Sequence, residues 1–397
     1  MQTVLGLAAL MRRYLAGEDL NPLCQSLLER AAQHPEEAAA LLDAAIIMQF
    51  RGQPTVAQQL QAEALRLCRC YRIAATQPVK LRLLALVAPG ELMANVPLEC
   101  LLEQSDIELQ LYYVTTELPA DLPEHDLVFV AIGESSVNRP LLAAWHTHLA
   151  NWPVPVLNAP QQIANLARDV AAQQLQQLPN VWMPMTWQVT RAELAQLAAG
   201  ASPADCQLPE LRFPVIVRPI DSHAGYALTQ TIDANALAAQ LPHLPGDDFF
   251  IAPFIDYRSS DGQFRKYRVA LIGGEPFAVH MGVSADWMIH YLNAGMTESA
   301  AKRAEEAAFM AQFAEDFAQR HGAALAAINA RLGLDYFGID CAEMSDGRLL
   351  IFEVDHAMVV HALDDVTLFP YKQPAMQRLF AAFRALLLTA ANRAAPA

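Results

Sequence analysis

Two β-rich runs joined by an Asp-Gly pair constrain this chain most, because they define a hairpin near its carboxyl end. The runs are DYFGIDCAEM and RLLIFEVD, and Asp346 and Gly347 lie between them. Asp-Gly between alternating hydrophobic residues is the strongest short-range hairpin signal. We expect a two-residue loop that pairs Ser345 with Arg348, and this pairing fixes the register of both strands.

That register predicts three carboxylates on one face of the hairpin. Asp340 falls directly opposite Glu353, and Gly338 falls opposite Asp355, two residues further along the same strand face. The other residues assigned to this face are apolar: Ile351, Ala342 and Met344. A solvated acidic surface is the alternative interpretation, but the apolar neighbours argue against it. Directly opposed like charges also destabilise a sheet.

A divalent cation between the acids would remove this repulsion. Three carboxylates with no nearby cysteine suit Mg²⁺ or Mn²⁺ rather than zinc. Asp340, Glu353 and Asp355 are therefore the predicted metal ligands. Since magnesium favours one or two carboxylates together with substrate phosphates, the sequence also predicts a nucleotide nearby.

Length and charge limit the class of protein. The chain has 397 residues, 54% of them apolar, and a net charge of −15. These values predict a globular protein of two or three domains and argue against nucleic acid or an anionic membrane as partner. No basic region precedes the first apolar run, no uncharged stretch reaches the ~18–20 residues of a membrane helix, and six scattered cysteines suit a reducing compartment. We therefore expect a cytoplasmic location.

Three segments of the chain differ in pattern. Residues 1–76 carry apolar positions at helical spacing and predict helices only. Residues 77–160 alternate strand and helix, which predicts a small parallel α/β domain with a ligand site at its strand ends. Residues 161–397 mix paired strands with helices and predict an α+β domain, including one long helix from about Glu298 to Leu332.

The helical segment contains a faint repeat. Gly17 and Gly52 stand at the same point of two helix–turn–helix units, about 35 residues apart. This period is typical of tetratricopeptide-like helical pairs. A small helical domain packed on its neighbour is the alternative interpretation. In either case the helices leave open a contact with a peptide or protein.

The order of motifs after Lys80 resembles the ATP-grasp superfamily, which includes RimK, D-Ala-D-Ala ligase and glutathione synthetase. In those proteins a C-terminal hairpin of the form G-[IV]-D…E-x-N carries the magnesium ligands, and this chain has GID and EVD. The resemblance covers roughly residues 80–385. It implies a pre-ATP-grasp domain before residue 161, then a central part over about 161–255 and a C-terminal part over about 256–397.

The segment FPVIVRPIDSHAGYAL resembles the superfamily's fPvvvKP…G strand and loop. Arg218 takes the place of the lysine that faces the nucleotide phosphates, and it keeps the positive charge. The turn that follows consists of small or polar residues whose backbone N–H groups could approach phosphate oxygens. Its members are Ser222, His223, Ala224 and Gly225.

The segment FFIAPFID resembles the adenine hinge. Backbone groups of Pro253 and Ile255, on either side of Phe254, would contact the edge of the base. The resemblance implies an acidic residue on the ribose, and Asp256 is the nearest one. Arg168 lies in a segment similar to the superfamily's opening motif, where it is assigned the charge of a lysine that this chain lacks.

The segment KYRVALIGGEPFAVH resembles the superfamily's DxRv.vvgg.vvaa hairpin. Arg268 matches the arginine that contacts the transferred phosphoryl group, and a structural ion pair is the alternative. Lys266 is assigned to the ATP site, although it stands where many relatives carry an acid. Further candidates for the substrate shell are His290, Asn293, His356, His361 and Lys372.

The resemblance implies a ligase. A carboxylate is phosphorylated by ATP to an acylphosphate, an amine displaces phosphate, and Arg268 together with two magnesium ions stabilises the transferring group. Asp355 replaces the usual asparagine of the hairpin, which predicts tighter or more numerous metal binding. The alternatives are a small-molecule kinase and a helical peptide-binding or scaffold protein with a degenerate ATP site. Metabolite or peptide substrates and a homodimer all stay open.

Overall fold

The chain runs through a helical region, a six-stranded sheet and two antiparallel sheets, and the computed structural model describes residues 1–393. The helices are α1 (Gly6–Leu15), α2 (Asn21–Gln33), α3 (Ala38–Phe50), α4 (Pro54–Leu67), α5 (Leu98–Leu101), α6 (Arg139–Leu149), α7 (Pro160–Ile163), α8 (Arg168–Leu175), α9 (Arg191–Ala198), α10 (Ala234–Gln240), α11 (Ala300–Gln312), α12 (Phe317–Leu332) and α13 (Lys372–Asn392). Within residues 1–393, none of these helices has both the length and the hydrophobicity to span a bilayer.

The strands are β1 (Gln2–Thr3), β2 (Cys70–Ile73), β3 (Leu81–Val87), β4 (Ile107–Tyr113), β5 (Leu127–Val130), β6 (Val156–Leu157), β7 (Val181–Trp182), β8 (Trp187–Thr190), β9 (Val215–Pro219), β10 (Thr229–Thr231), β11 (Asp248–Pro253), β12 (Phe264–Ile272), β13 (Glu275–Ser284), β14 (Tyr336–Glu343) and β15 (Leu349–Asp355). They form sheets in the orders β1-β2-β4-β3-β5-β6, β10-β9-β11-β8 and β13-β12-β14-β15-β7.

The six-stranded sheet confirms the predicted parallel α/β unit and extends it. Strands β3, β4, β5 and β6 pair in parallel, as alternating strand and helix predicts. β2 adds antiparallel to β4, and β1 adds parallel to β2. The expectation that the first segment holds helices only is therefore wrong, because both of its ends form strands of this sheet. Strands of two and four residues are too short to show a periodic pattern.

The helical region packs on this sheet through α3, which is apolar on all sides. Leu42 of α3 joins the core of the sheet, whereas Ile47 joins a separate core between α1, α2 and α4. A helix that is hydrophobic all round is buried on all sides. Gly17 and Gly52 each lie two residues beyond a helix end, with φ of +77° and +66°. The two glycines do occupy equivalent turns, and a tetratricopeptide-like role for them stays a prediction.

The other two sheets are antiparallel except for β7, which pairs in parallel with β15, and they confirm the α+β character of the rest of the chain. Hairpin β12–β13 turns at Gly273 and Gly274, with φ of +58° and +88° as a tight two-residue turn requires. The predicted long helix is wrong in one respect, because it breaks into α11 and α12 around Asp316. Helical spacing continues across the break in the form of Phe309, Phe313 and Phe317, whose rings pack together against Tyr267. Periodicity alone therefore could not reveal the break.

Candidate functional site

The hairpin of β14 and β15 holds the predicted acids in the predicted pairs. Asp340 lies opposite Glu353 and Gly338 lies opposite Asp355. The turn itself differs from the prediction, because the backbone N–H of Met344 donates to the carbonyl of Arg348 at 2.9 Å. The loop therefore has three residues rather than two, and Ser345 does not pair with Arg348.

A β-bulge restores the register near the acids. The pairing shifts between Asp340 and Cys341, which leaves Phe352 as an extra residue on β15. Beyond the bulge, Leu350 lies opposite Ala342, and Ile351 lies opposite Cys341 in the main core. The assignment of Ile351 to the face of the acids was therefore wrong.

A cleft of about 630 Å³ lies in front of this hairpin, lined by residues of both antiparallel sheets. Most of the predicted site residues line it: Arg168, Arg218, His223, Ala224, Gly225, Pro253, Phe254, Ile255, Lys266, Arg268, His290, Asp340, Glu353, Asp355, His361 and Lys372. Folding thus brings together residues that are spread over more than half of the sequence. Four predicted residues do not line the cleft: Ser222, Asp256, Asn293 and His356.

Two of these four have supporting positions. The Ser222 hydroxyl donates to the carbonyl of Pro219 at 2.8 Å and accepts from Arg218 Nε at 3.0 Å, so it orients Arg218. Asn293 accepts the backbone N–H of His290 at 3.0 Å and thereby shapes the loop that carries this histidine.

The other two are directed away from the cleft. Asp256 pairs with the exposed Arg258 beside it, with Oδ1 and Nε 3.0 Å apart, which does not fit its predicted contact with a ribose. His356 is fully buried, and burial lowers the pKa of its ring to about 3, so the ring is neutral. It is part of the core beside the cleft rather than of the lining.

Asp340 is held by two cations from the neighbouring strand. Arg268 lies directly opposite it on β12 and donates from Nε to Oδ1 at 2.7 Å and from Nη2 to Oδ2 at 3.0 Å. Lys266 Nζ donates to Oδ2 at 2.9 Å. Burial alone would raise the pKa of Asp340, but Arg268 and Lys266 hold it well below its ordinary value. The structural ion pair considered for Arg268 is present, and Lys266 shares it.

Glu353 is held by Arg168. Ala167 is extended, with ψ of 136°, so that α8 begins at Arg168. The Arg168 guanidinium donates to Glu353 and, at 3.3 Å, to the carbonyl of the bulged Phe352. Burial raises the pKa of Glu353, but Arg168 and then Arg218 lower it more. The β-bulge thus supplies one of the two acceptors that orient this arginine.

Asp355 lacks such a cation. Its Oδ1 accepts the backbone N–H of Ala357 at 2.9 Å, and burial followed by the charge of Glu353 raises its pKa to about 7. The space expected opposite Asp355 at Gly338 is filled, because a Cβ there would lie 2.6 Å from Met358 Sδ. Asp355 is thus packed against protein on the side of Gly338 and borders the cleft with its remaining surface.

The residues do not fit the predicted three-carboxylate metal site. Within residues 1–393, no group of three or more His, Cys, Asp or Glu side chains is placed to hold a metal ion. Asp340 has both oxygens hydrogen-bonded to cations, and Glu353 is paired with Arg168. The metal assignment of Asp340, Glu353 and Asp355 remains a prediction, and the observed donor set does not support two ions.

A nucleotide fits the cleft better. Four cations converge at one end, which we call the cationic end: Arg168, Arg218, Lys266 and Arg268. Burial and then Arg168 lower the pKa of Arg218 to about 9, which still leaves it charged at neutral pH. Beside them the predicted adenine hinge follows β11. There the backbone N–H of Phe254 donates to the carbonyl of Pro214 at 2.8 Å, and the centres of the Phe254 and Trp287 rings are 5.4 Å apart. Apolar walls with a few fixed polar groups suit an aromatic base.

Another part of the cleft wall contains Tyr291 and Lys372, which contact Glu306 and, through it, Tyr371. We call these four residues the tyrosine end, and sequence reasoning missed all of them except Lys372. Glu306 is fully buried on α11 and accepts from Tyr291 at 2.8 Å, Tyr371 at 2.6 Å and the N–H of Met281 at 3.0 Å. Lys372, predicted to face substrate, is 3% exposed and lies 4.0 Å from the centre of the Tyr291 ring. The only sequence signal for Glu306 is an acid in the apolar stripe of a helix.

Lys372 connects the tyrosine end to the cleft wall. Its Nζ donates to Asp364 at 3.2 Å and lies 3.7 Å from Glu306. His280, also missed, lies opposite Arg268 on β13, and its ring meets Tyr291 at 4.6 Å. Burial and then Arg268 lower the pKa of His280 well below its ordinary value, so this ring is neutral. A continuous row of contacts therefore joins the two ends of the cleft.

Comparisons with known proteins give matches only at the level of structure. Neither a family model nor a curated protein sequence matches this chain. A RimK domain protein ATP-grasp from Sphaerobacter thermophilus is 17% identical, with 77% of this chain and 99% of that chain covered at a TM-score of 0.43. The VanG D-Ala:D-Ser ligase of Enterococcus faecalis is 12% identical, and the match covers 78% of this chain and 100% of that chain at a TM-score of 0.48. The D-alanine–D-alanine ligase of Bacillus anthracis is 13% identical, and the match covers 79% of this chain and 98% of that chain at a TM-score of 0.44.

The predicted similarity to ATP-grasp proteins is one of fold. Identities of 12–17% and TM-scores below 0.5 give no information on activity. The chemistry therefore has to be inferred from the cleft itself.

Proposed function

We propose that this protein is an ATP-dependent carboxylate–amine ligase that forms an amide bond through an acylphosphate. One observation carries the proposal: four buried or half-buried cations converge on one end of a cleft whose adjoining wall is apolar. Such a pair of surfaces suits a nucleoside triphosphate, with the base on the wall and the phosphates at the cations. ATP is a substrate here, and it brings any divalent ion with it.

The adenine base would lie against Phe254 and Ile255, and the phosphates would face Arg218 and Lys266. The backbone turn at Ala224 and Gly225 also lines the cleft, and both residues have positive φ, of +52° and +75°. Such a turn brings successive N–H groups close to a phosphate. His223 next to it is neutral, since burial lowers the pKa of its ring, and it adds no charge.

The reaction proceeds in two displacements. A carboxylate oxygen of the first substrate attacks the γ-phosphorus, the bond between this phosphorus and the β-γ bridging oxygen breaks, and ADP leaves. The nitrogen of the second substrate then attacks the acyl carbon, loses a proton and expels phosphate. Arg268 stabilises the charge of the transferring group, and the cleft positions both substrates, which together supply most of the rate in such transfers.

The helical region also reaches this cleft. Leu15 at the end of α1 and Met93 both line the cleft, and Leu15 is 51% exposed. An apolar side chain left exposed at the mouth of a cleft is available to a bound molecule. This supports the proposal that the N-terminal helices contribute to binding of a peptide or small-molecule substrate.

A screen of carboxylate and amine pairs tests the proposal through ATP-dependent phosphate release. Release that needs both partners identifies a ligase, whereas a stable phosphorylated product without the amine identifies a kinase. Arg268→Met should abolish release, because no guanidinium is then left to stabilise the charge of the transferring group. Arg66→Gln, which removes an exposed arginine of α4, is the matched control and should keep full activity. A chain that does not bind ATP in calorimetry is no ligase, and a scaffold role would then be favoured.

A further inference from the structure

Lys266 has an unusual position for an ammonium group in a predicted metal site. It lies two residues from Arg268 on the same face of β12, and both side chains contact Asp340. On the adjoining strand Lys266 lies opposite Gly282. Asp340 accepts three hydrogen bonds from the two cations and is only 2% exposed. Lys266 is 16% exposed, so its ammonium group reaches Asp340 and still borders the cleft.

The cations around this lysine already outnumber the carboxylates without a metal ion. The carboxylates of the hairpin are Asp340, Glu353 and Asp355. The cations that face them are Arg168, Arg218, Lys266 and Arg268. A divalent ion placed at Asp340 would meet the positive charges of Lys266 and Arg268 at short range, where repulsion is strong. Both oxygens of Asp340 already accept hydrogen bonds from these two cations, so a divalent ion would have to compete with them.

We propose that the Lys266 ammonium takes the place of a divalent ion at Asp340, so that the chain binds one divalent ion per nucleotide instead of two. The single ion is the one that enters with ATP. Lys266 acts as a positioning residue: it neutralises Asp340 and presents a fixed positive charge to the phosphates, as the second ion would. This inference rests on the proposed ATP site, and it reverses the expectation of more numerous metal ions.

Manganese counting tests the inference on the full chain. Mn²⁺ is titrated by electron paramagnetic resonance in the presence of a non-hydrolysable imido analogue of ATP. We expect one bound Mn²⁺ per nucleotide in the unmodified protein. Lys266→Gln should bind a second ion at least about tenfold more tightly than the unmodified protein does, because one repulsive charge is removed and Asp340 Oδ2 loses one of its two cationic donors.

Three further variants make the result specific. Lys266→Arg keeps the charge and should bind one ion, and Lys266→Gln combined with Asp340→Asn should return from two ions to one. Lys80→Gln removes an exposed lysine far from the cleft and should change nothing. Thermal denaturation checks that each variant is folded. If Lys266→Gln does not fold, the ion count of Asp340→Asn tests the inference instead. The single ion enters with ATP and does not bind at Asp340, so this variant should still bind one ion per nucleotide.

Two Mn²⁺ per nucleotide in the unmodified protein would overturn the inference while leaving the proposed ATP site intact. An unchanged count in folded Lys266→Gln would do the same, and so would loss of the single ion in Asp340→Asn. If the unmodified protein binds no nucleotide at all, the proposed function is wrong and this inference falls with it.

Discussion

The two ends of the cleft hold a buried carboxylate in contrasting ways. At the cationic end, Asp340 is matched by the full charges of Arg268 and Lys266. At the tyrosine end, Glu306 is matched mainly by neutral donors, the hydroxyls of Tyr291 and Tyr371. Breaking a buried ion pair leaves an uncompensated charge, whereas removing the acceptor of neutral donors leaves hydroxyls that a water molecule can satisfy. The cationic end should therefore tolerate substitution least.

The largest effect is expected for Asp340→Ala. It leaves Arg268 and Lys266 facing each other with no acid between them, and removal of one member of a buried pair costs about 3–5 kcal/mol. Urea denaturation at neutral pH measures the loss. Asp316→Ala, which breaks an exposed pair with Arg320, is the control and should cost less than about 1 kcal/mol. Equal losses for both variants would contradict the contrast.

A smaller effect is expected for Glu306→Ala, about 2–4 kcal/mol, because two tyrosine hydroxyls and one backbone N–H lose their acceptor. Glu306→Gln keeps an acceptor oxygen and should lose about half as much. The same denaturation experiment measures both. The neighbouring Glu305→Ala removes only a partly exposed ion pair with Arg265, so its free energy of unfolding should stay close to that of the unmodified protein. We also expect Glu306→Ala to weaken substrate binding more than ATP binding.

A third prediction uses pH. The pKa of Asp355 rises from its ordinary value of 3.8 to about 7 in the folded chain, so the folded state holds a proton that the unfolded state loses between these values. The contribution of Asp355 to the free energy of unfolding therefore falls as pH rises from about 4 to about 7. Asp340 has the opposite shift, and its contribution falls as pH decreases through the acid range. Asp355→Asn should stabilise the protein by roughly 1–3 kcal/mol at pH 8 and by almost nothing at pH 4.

Denaturation curves at pH 4, 6 and 8 check this prediction. A constant difference between Asp355→Asn and the unmodified protein at all three values would show that Asp355 does not hold its proton. The experiment is done in the presence of a chelator, so that divalent ions do not influence the result.

The smallest effect is expected for Asp256→Ala. Asp256 pairs with Arg258 outside the cleft lining, so its loss should leave the affinity for ATP unchanged within about twofold. Arg218→Met in the cationic end is the comparison, and calorimetric titration with the ATP analogue should show a loss of at least about tenfold. A comparable loss for Asp256→Ala would restore its predicted contact with the ribose.

The hairpin illustrates how far the sequence could predict the site. The pairing of Asp340 with Glu353 was predicted correctly, although the loop is one residue longer than predicted. The extra loop residue and the bulge at Phe352 cancel, and neither leaves a signal in the pattern of hydrophobic residues. The acidic side chains and the strands that carry them were thus predictable, but the cations that pair with them were not.

The residues that were missed share one property. Glu306 and His280 are polar groups enclosed by segments far away in sequence, and their burial depends on packing that no local pattern encodes. Lys266 was recognised as a departure from the superfamily, yet its meaning required the distance to Asp340. Fold class followed from local signals, since alternation and turn residues act within short windows.

The pairing of β1 with β2 has a practical consequence for anyone who wants to dissect this protein. These strands bring both ends of the helical region side by side on one sheet edge. A fragment that begins at β3 would lose both strands and leave one side of β4 without the partner that it has in β2. An uncovered edge of this kind recruits other chains. We therefore expect such a fragment to self-associate, so its behaviour would report on the damaged sheet and not on catalysis.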